Sequence, residues 1–219
     1  MRVEPLPEGK LERCVEEDGS VLSVDEYRNV LVDCCGKTEK MAEAVLESVI
    51  AGFEFACKAG PLCGEPMRHV KASLMDVQLS QVAEARSSVE IMHGVGKAVF
   101  GSFLTAKPVL LEPVYKTVIT VPAELAGECQ RIVSSRRGKV SGFERKGLAA
   151  VVSGFVPVAE SFGLSRGLRS AMSGRAFWQS SLERWERVPE KLAARVVEEV
   201  RVRKGLAAEV PSASRFLEG

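Results

Sequence analysis

The stretch from Ala98 to Tyr115 constrains the fold most, because two incompatible hydrophobic periods meet inside it. Up to Thr105 the pattern is helical: Met92, Val95, Val99 and Phe103 recur at three to four residues and form one inward face. Lys107-Pro108 closes that helix, since the residue before a proline is pushed out of the helical region. After Glu112-Pro113 the pattern restarts as residues 114–121, a run of Val, Ile and Thr that reads as a strand. One continuous element cannot satisfy both periods, so a helix ends and a strand begins here.

Each side of the break can be read separately. Before it, an extended start at residues 1–6 precedes an apolar strand at residues 30–35. Thr38 can cap a following helix with Met41 at its first inward position and Val45, Val49, Phe53 and Ala56 along one face. Gly60-Pro61 ends it, and residues 69–79 alternate loosely as a strand before the second helix. After the break, Pro122 precedes a helix over residues 125–134. Strands at 138–144 and 148–156 are joined by Arg145-Lys-Gly147, a helix spans roughly 161–172, and a strand spans 175–185. That βαββαβ order predicts a ferredoxin-like sandwich. Pro189 then opens a last helix with Leu192, Val196 and Val200 on one face, ended by Lys204-Gly205.

Composition removes several classes of function. Hydrophobic residues make up 46% and charged residues 27%, so the chain can bury cores and is not broadly disordered. Apolar runs such as 148–152 are far too short to span a bilayer, and Met1-Arg-Val-Glu-Pro-Leu-Pro lacks a signal core. A cytoplasmic protein without membrane partners is therefore expected. The net charge of +1 argues against the whole molecule as a nucleic-acid binder, but residues 127–146 set Arg131, Arg136, Arg137, Lys139, Arg145 and Lys146 against Glu128 and Glu144. That excess could meet phosphate, or it could be the solvated edge of a hairpin.

The chemistry-bearing residues do not assemble into an enzyme. The six cysteines contain no Cys-x2-Cys pair and both histidines lie away from them, so no metal is expected. Small buried hydrophobes are the favoured role for the cysteines; a Cys57–Cys63 disulfide would need an oxidising cytosol, and a catalytic cysteine ranks below both. Cys34 and Cys35 read as strand neighbours pointing to opposite faces. His69 and His93 read as surface or satisfied core residues, and Glu65 and Asp76 face no recognisable nucleophile. Gly94-x-Gly96 lacks the strand and turn of a dinucleotide site, and close packing explains it better. No cofactor or small-molecule substrate is expected.

Long colinear strings carry a family resemblance. Gly101-Ser-Phe-Leu-Thr-Ala-Lys-Pro-Val-Leu-Leu-Glu-Pro113 resembles translation elongation factor 2 of archaea and eukaryotes. So do Pro61-Leu-Cys-Gly-Glu-Pro-Met-Arg68, Val156-Pro-Val-Ala-Glu-Ser-Phe-Gly163 and Leu168-Arg-Ser-Ala-Met-Ser-Gly-Arg-Ala-Phe-Trp178, with Lys204-Gly-Leu206 and Val210-Pro211 at the end. The resemblance, to the elongation factor G family broadly, implies an α+β fold of two α/β-sandwich domains. Residues 1–113 would be the family's fourth domain, a ribosomal-protein-like unit with a left-handed crossover. Residues 114–188 would be the ferredoxin-like fifth domain, and 189–219 a C-terminal helix and tail packing on the fourth.

The resemblance also says what has changed. No Gly-x4-Gly-Lys-Ser/Thr occurs, so the family's GTPase domain is not represented and the chain is not expected to hydrolyse GTP. The stretch from Glu8 to Glu26 is shorter than its counterpart; with Met1 leading directly into an extended segment and the altered tip, this favours a gene of this length. The family's fourth-domain tip enters the decoding centre and carries a histidine modified to diphthamide. Here Asp76 and Leu79 survive, Ser80 replaces the first histidine and Ala85 the modified one, so the modification is lost. Arg86 is kept, while Ser87, Ser88 and Val89 replace the glycine-rich turn. Ser134-Ser-Arg-Arg-Gly-Lys139 matches the family's basic turn facing large-subunit RNA. Arg136 and Arg137 are its leading contacts, with Arg131, Lys139 and Arg86 as further candidates. Arg175, Phe177 and Trp178 read as structural.

Two functions follow from that resemblance. The chain would be a ribosome-associated paralogue without GTPase activity, occupying the factor-binding site as a regulator, competitor or hibernation-type factor. The alternative is a protein-interaction module off the ribosome, pairing with a separate GTPase as a split factor. Salt-dependent ribosome binding would favour the first, and recovery of a GTPase without ribosomes the second.

Overall fold

The computed structural model describes residues 1–6, 19–81 and 87–217. Cys14, Ala85, Arg86 and most of the Glu8–Glu26 stretch lie outside them, so expectations placed there stand as read from sequence. Two units divide the chain: Met1–Pro108 with Lys191–Gly219, and Val109–Glu190. The division falls before Val109 rather than after Pro113, because the first strand of the second unit already begins at Leu111, opposite Arg187.

The first unit is a four-stranded sheet ordered β1-β4-β3-β2, from β1 (Arg2–Pro5), β2 (Ser20–Val24), β3 (Val30–Asp33) and β4 (Val70–Leu74). β3 and β4 run parallel and are joined through α1 (Glu43–Lys58); the other pairs are antiparallel. Every residue of β3 and β4 is buried, as a strand covered on both faces must be. Val49, Phe53, Ala56 and Cys57 of α1 form the core with Leu31, Ala72, Leu74 and Val99, the last from α2 (Ser88–Thr105). α1 and α2 meet at Gly52, where a Cβ would lie 2.9 Å from the Cα and carbonyl oxygen of Met92. The close packing expected at Gly94 and Gly96 is not there; a Cβ at either would meet nothing within 4 Å.

Two local expectations in this unit give way to one residue, Asp33. Its Oδ1 accepts the backbone N–H groups of Cys35 (2.8 Å) and Gly36 (3.1 Å), and its Oδ2 accepts the Thr38 hydroxyl. The strand therefore ends at Asp33, leaving Cys34 and Cys35 in a turn. Thr38 does not cap α1, which starts only after a 3-10 turn over Thr38–Lys40. β4 likewise stops at Leu74, the register partner of Asp33, instead of running on to Leu79.

The C-terminal segment belongs to this unit. In α6 (Glu190–Arg203), Arg201 is 5% exposed and donates to the carbonyls of Pro61 (3.0 Å), Leu62 (2.9 Å) and Ala207 (2.6 Å). Lys204 pairs with Glu65 at 2.9 Å, and the Phe216 ring of α7 (Ser214–Leu217) meets Phe100 edge-on at 5.5 Å.

The second unit is antiparallel throughout, ordered β6-β7-β5-β8. Its strands are β5 (Leu111–Pro122), β6 (Lys139–Lys146), β7 (Ala149–Pro157) and β8 (Phe177–Arg187). Counted within the unit this is 2-3-1-4, the ferredoxin-like arrangement. α3 (Ala126–Ser134) crosses between β5 and β6, and the second crossover is split into α4 (Val158–Ser161) and α5 (Leu164–Ala171). Ile119, Val121, Ala150, Val152 and Val156 of the sheet pack against Cys129, Val133, Leu164 and Leu168, so all helices cover one face.

Candidate functional site

The basic turn after α3 is built from the inside. α3 closes with Arg136 N–H on the Val133 carbonyl (3.1 Å) and Gly138 N–H on the same oxygen (3.0 Å), while Arg137 takes a left-handed φ of 55°. Glycine is required at 138, where a Cβ would stand 2.6 Å from that oxygen. This geometry turns Arg137 inward. Its Nη1 and Nη2 donate to both carboxylate oxygens of Glu112 at 2.7 and 2.8 Å, and its Nε donates to Glu160 at 2.9 Å. The Glu112 hydrogen bonds, with burial opposing and the Glu160 hydrogen bond adding, hold the guanidinium pKa far above its ordinary value. Three of the strings singled out in the sequence, around residues 112, 137 and 160, thus converge on one ion-pair triad.

Arg136 is also engaged within the domain. Its guanidinium lies on Gly163 and Gly167: a Cβ at Gly163 would come within 2.6 Å of Nη1, and Nη1 donates to the Glu160 carbonyl at 3.3 Å. Its Nε is buried without a partner. Arg131 and Lys139 remain at the surface, with side chains 73% and 76% exposed. Arg131 chelates Glu128 one turn earlier, and Lys139 stands 3.8 Å from Glu186.

Two further cations were missed by the sequence reading. Arg166 and Arg169 project from the exposed side of α5, three residues apart, opposite the buried Leu164 and Leu168. That spacing was visible in the sequence and could have found them. Across residues 123–138 and 158–176 the helical layer carries six arginines against Glu124, Glu128 and Glu160. The other residues read as structural separate. Trp178 packs on the core with Arg169 over its ring at 5.8 Å, and Arg175 pairs with Glu124 at 3.3 Å. Phe177, however, is 77% exposed and is not a core residue.

The loops at the ends of β3 and β4 offer no second site. Gly36-Lys37-Thr38 follows a buried strand and precedes a helix, a placement suited to anions, but the Asp33 carboxylate already accepts from the Cys35 and Gly36 amides and the Thr38 hydroxyl. Burial pushes Asp33 upward in pKa, and the hydrogen bonds from Thr38, Cys35 and Gly36 outweigh it, holding the carboxyl at about 2. Lys37 bonds Asp76 across the two loops and lowers its pKa. Leu79 and Ser80 are exposed. Glu65 pairs with Lys204, His93 is exposed on α2, and His69 sits at φ 55° with its carbonyl accepting from Leu6.

Cys34, Cys35, Cys57, Cys63 and Cys129 are free thiols, so no Cys57–Cys63 bridge is formed. Among the described residues no group of three or more His, Cys, Asp or Glu could hold a metal, and no helix is long and apolar enough to cross a membrane.

Comparison with known proteins follows the same division. Residues 4–107 match the family described as Elongation factor G, domain IV, and residues 109–196 match Elongation factor G C-terminus. The two matches meet where the structural units divide. The chain is 37% identical over 213 residues to Elongation factor 2 of Korarchaeum cryptofilum, covering 96% of this chain and 28% of that protein. It is 36% identical over 202 residues to Elongation factor 2 of Sulfurisphaera tokodaii and of Saccharolobus solfataricus, covering 92% of this chain and 27% of each. The chain thus spans little more than a quarter of the length of these relatives.

Proposed function

Since the chain belongs to the elongation factor G and elongation factor 2 family, matching the C-terminal part of such factors, we propose that it works on the ribosome by occupying the factor-binding site. The observation that carries this reading is the helical layer of the second unit, with six arginines against three glutamates and Arg131, Arg166 and Arg169 at its surface. Guanidinium groups on adjacent helices suit phosphate, which they bind in paired hydrogen bonds. Arg136 and Arg137 contribute by holding the turn in shape. Work in the cytoplasm follows from this reading.

On this reading the two domains present act by occupancy. The residues present match only domain IV and the C-terminus of the family, and contain no phosphate-binding Gly-x4-Gly-Lys-Ser/Thr fingerprint. Ala85 in place of the modified histidine, and only one arginine against two glutamates over residues 80–90, disfavour ordinary translocation. A regulator, competitor or hibernation-type factor is the role this reading proposes.

Co-sedimentation with archaeal ribosomes across a salt series tests it. Binding should weaken steeply with salt, as phosphate contacts require, and R166E with R169E should cut it about tenfold or more. Absent binding at low salt, or binding indifferent to those reversals, overturns the reading. Recovery of a separate GTPase without ribosomes would favour a split factor instead.

A further inference from the structure

The face of the second sheet away from its helices is bare, and strand register identifies what it displays. Thr117, Ile119 and Val121 of β5 point toward the helices. Lys116, Val118 and Thr120 therefore point the other way. Their partners share that face: Phe155, Ser153 and Val151 on β7, and Ser181, Gln179 and Phe177 on β8. Beyond β7, Lys139 lies opposite Phe155 and Lys146 opposite Ala149. Arg184 confirms the assignment, its guanidinium resting 4.0 Å from the centre of the Phe155 ring.

Its chemistry selects the occupant. The central rows are ammonium, hydroxyl and amide groups set between half-buried Val118, Val151 and Phe155. Protein interfaces deplete lysine and serine from their centres, so this is a poor protein-docking surface. Unpaired nucleic acid uses what is here: planar groups for bases, neutral donors and acceptors for base edges, and cations for the backbone. Phe177 offers a ring 77% exposed, and the Arg184–Phe155 stack offers a second planar platform. Glu144, on the β6 edge, is paired with Lys146 at 3.3 Å, and Glu186 with Arg184 at 2.7 Å, whereas Lys116 makes no ion pair among the described residues.

We propose that this open sheet face binds single-stranded RNA, with Phe177 and the Arg184–Phe155 stack taking bases and Lys116 and Lys139 taking phosphates. The surface lies on the opposite side of the sheet from the arginine-rich helical layer and does not depend on ribosome association.

The test is fluorescence anisotropy of the full chain with a labelled oligouridylate of about twelve nucleotides, within the span such surfaces cover. Saturable, salt-sensitive binding is expected, with preference over duplex RNA of the same length. F177A and K116E should each weaken it about tenfold, as loss of one stacked base does, and both side chains are exposed enough for the variants to fold. Lys58→Glu, an equal charge change on α1 of the other unit, should stay within about twofold. No saturable binding, equal weakening by Lys58→Glu, or affinity unchanged by F177A and K116E overturns the proposal. Ribosome co-sedimentation reads the helical layer, so the two readings fail separately.

Discussion

Arg137 donates to both carboxylate oxygens of Glu112, at 2.7 and 2.8 Å, across 25 residues of sequence. The bond ties the turn after α3 to the first strand of its unit, and Glu160 completes the clamp from the start of the second crossover. The pair is partly sheltered, with side chains 28% and 13% exposed, so it is screened less than a surface ion pair.

A double-mutant cycle on Glu112→Gln and Arg137→Lys should therefore give a coupling of about 1–2 kcal/mol in urea unfolding. Lysine keeps the charge but cannot fork across two oxygens. Strictly additive effects would mean that the clamp contributes nothing to stability.

The helix crossing at Gly52 gives opposite outcomes for one type of substitution. Gly52→Ala forces a methyl group against the Met92 backbone and should cost about 1–3 kcal/mol. Gly94→Ala, in open space on α2, should instead stabilise by about 0.5–1 kcal/mol through helix propensity. Thermal melts of the two variants shifting in the same direction would contradict this crossing.

Asp33 should govern part of the acid limb of stability. Its folded pKa of about 2 lies below the ordinary 3.8, so its contribution is complete above the unfolded value and is lost as pH falls through the folded one. That contribution is about 2 kcal/mol at neutral pH. Asp33→Asn should lower stability at pH 7 and flatten the loss between about pH 4 and 2, as read by denaturant midpoints.

Thiol reactivity should follow burial. Cys34 is exposed and should alkylate readily in the native protein. Burial raises Cys57 and Cys63 and pushes Cys129 up to about 11, so these three should resist iodoacetamide until the chain unfolds. Burial and the hydrogen bond to Asp33 raise Cys35, which should react more slowly than Cys34. Peptide mass spectrometry after a timed pulse reads all five.

What the sequence made legible was repetition. The inward faces of α1 and α2 and the βαββαβ order of the second unit follow from periods of 3.6 and 2, although Met41 lies ahead of α1 and the second crossover of the second unit is split into α4 and α5. Pairwise chemistry was hidden. Thr38 is a good capping residue by type, but its hydroxyl is taken by Asp33 five positions away. Arg136 and Arg137 look like phosphate contacts beside other cations, yet their partners come from residues 112, 160 and 163 and from a left-handed backbone at Arg137. Gly94-x-Gly96 drew notice by spacing, whereas the close approach is at Gly52, whose neighbour lies on another helix. Phe177 and Trp178 are adjacent in a strand, so alternation alone says that one faces the core and the other the bare side.

The return of residues 191–219 to the first unit sets an order of events during synthesis. Residues 109–190 are contiguous and can fold as soon as they clear the exit tunnel. The earlier unit must wait for Arg201, whose three carbonyl bonds close the loop around Pro61 and Leu62. A released chain ending at residue 190 should show a protease-resistant second unit beside a sensitive first one.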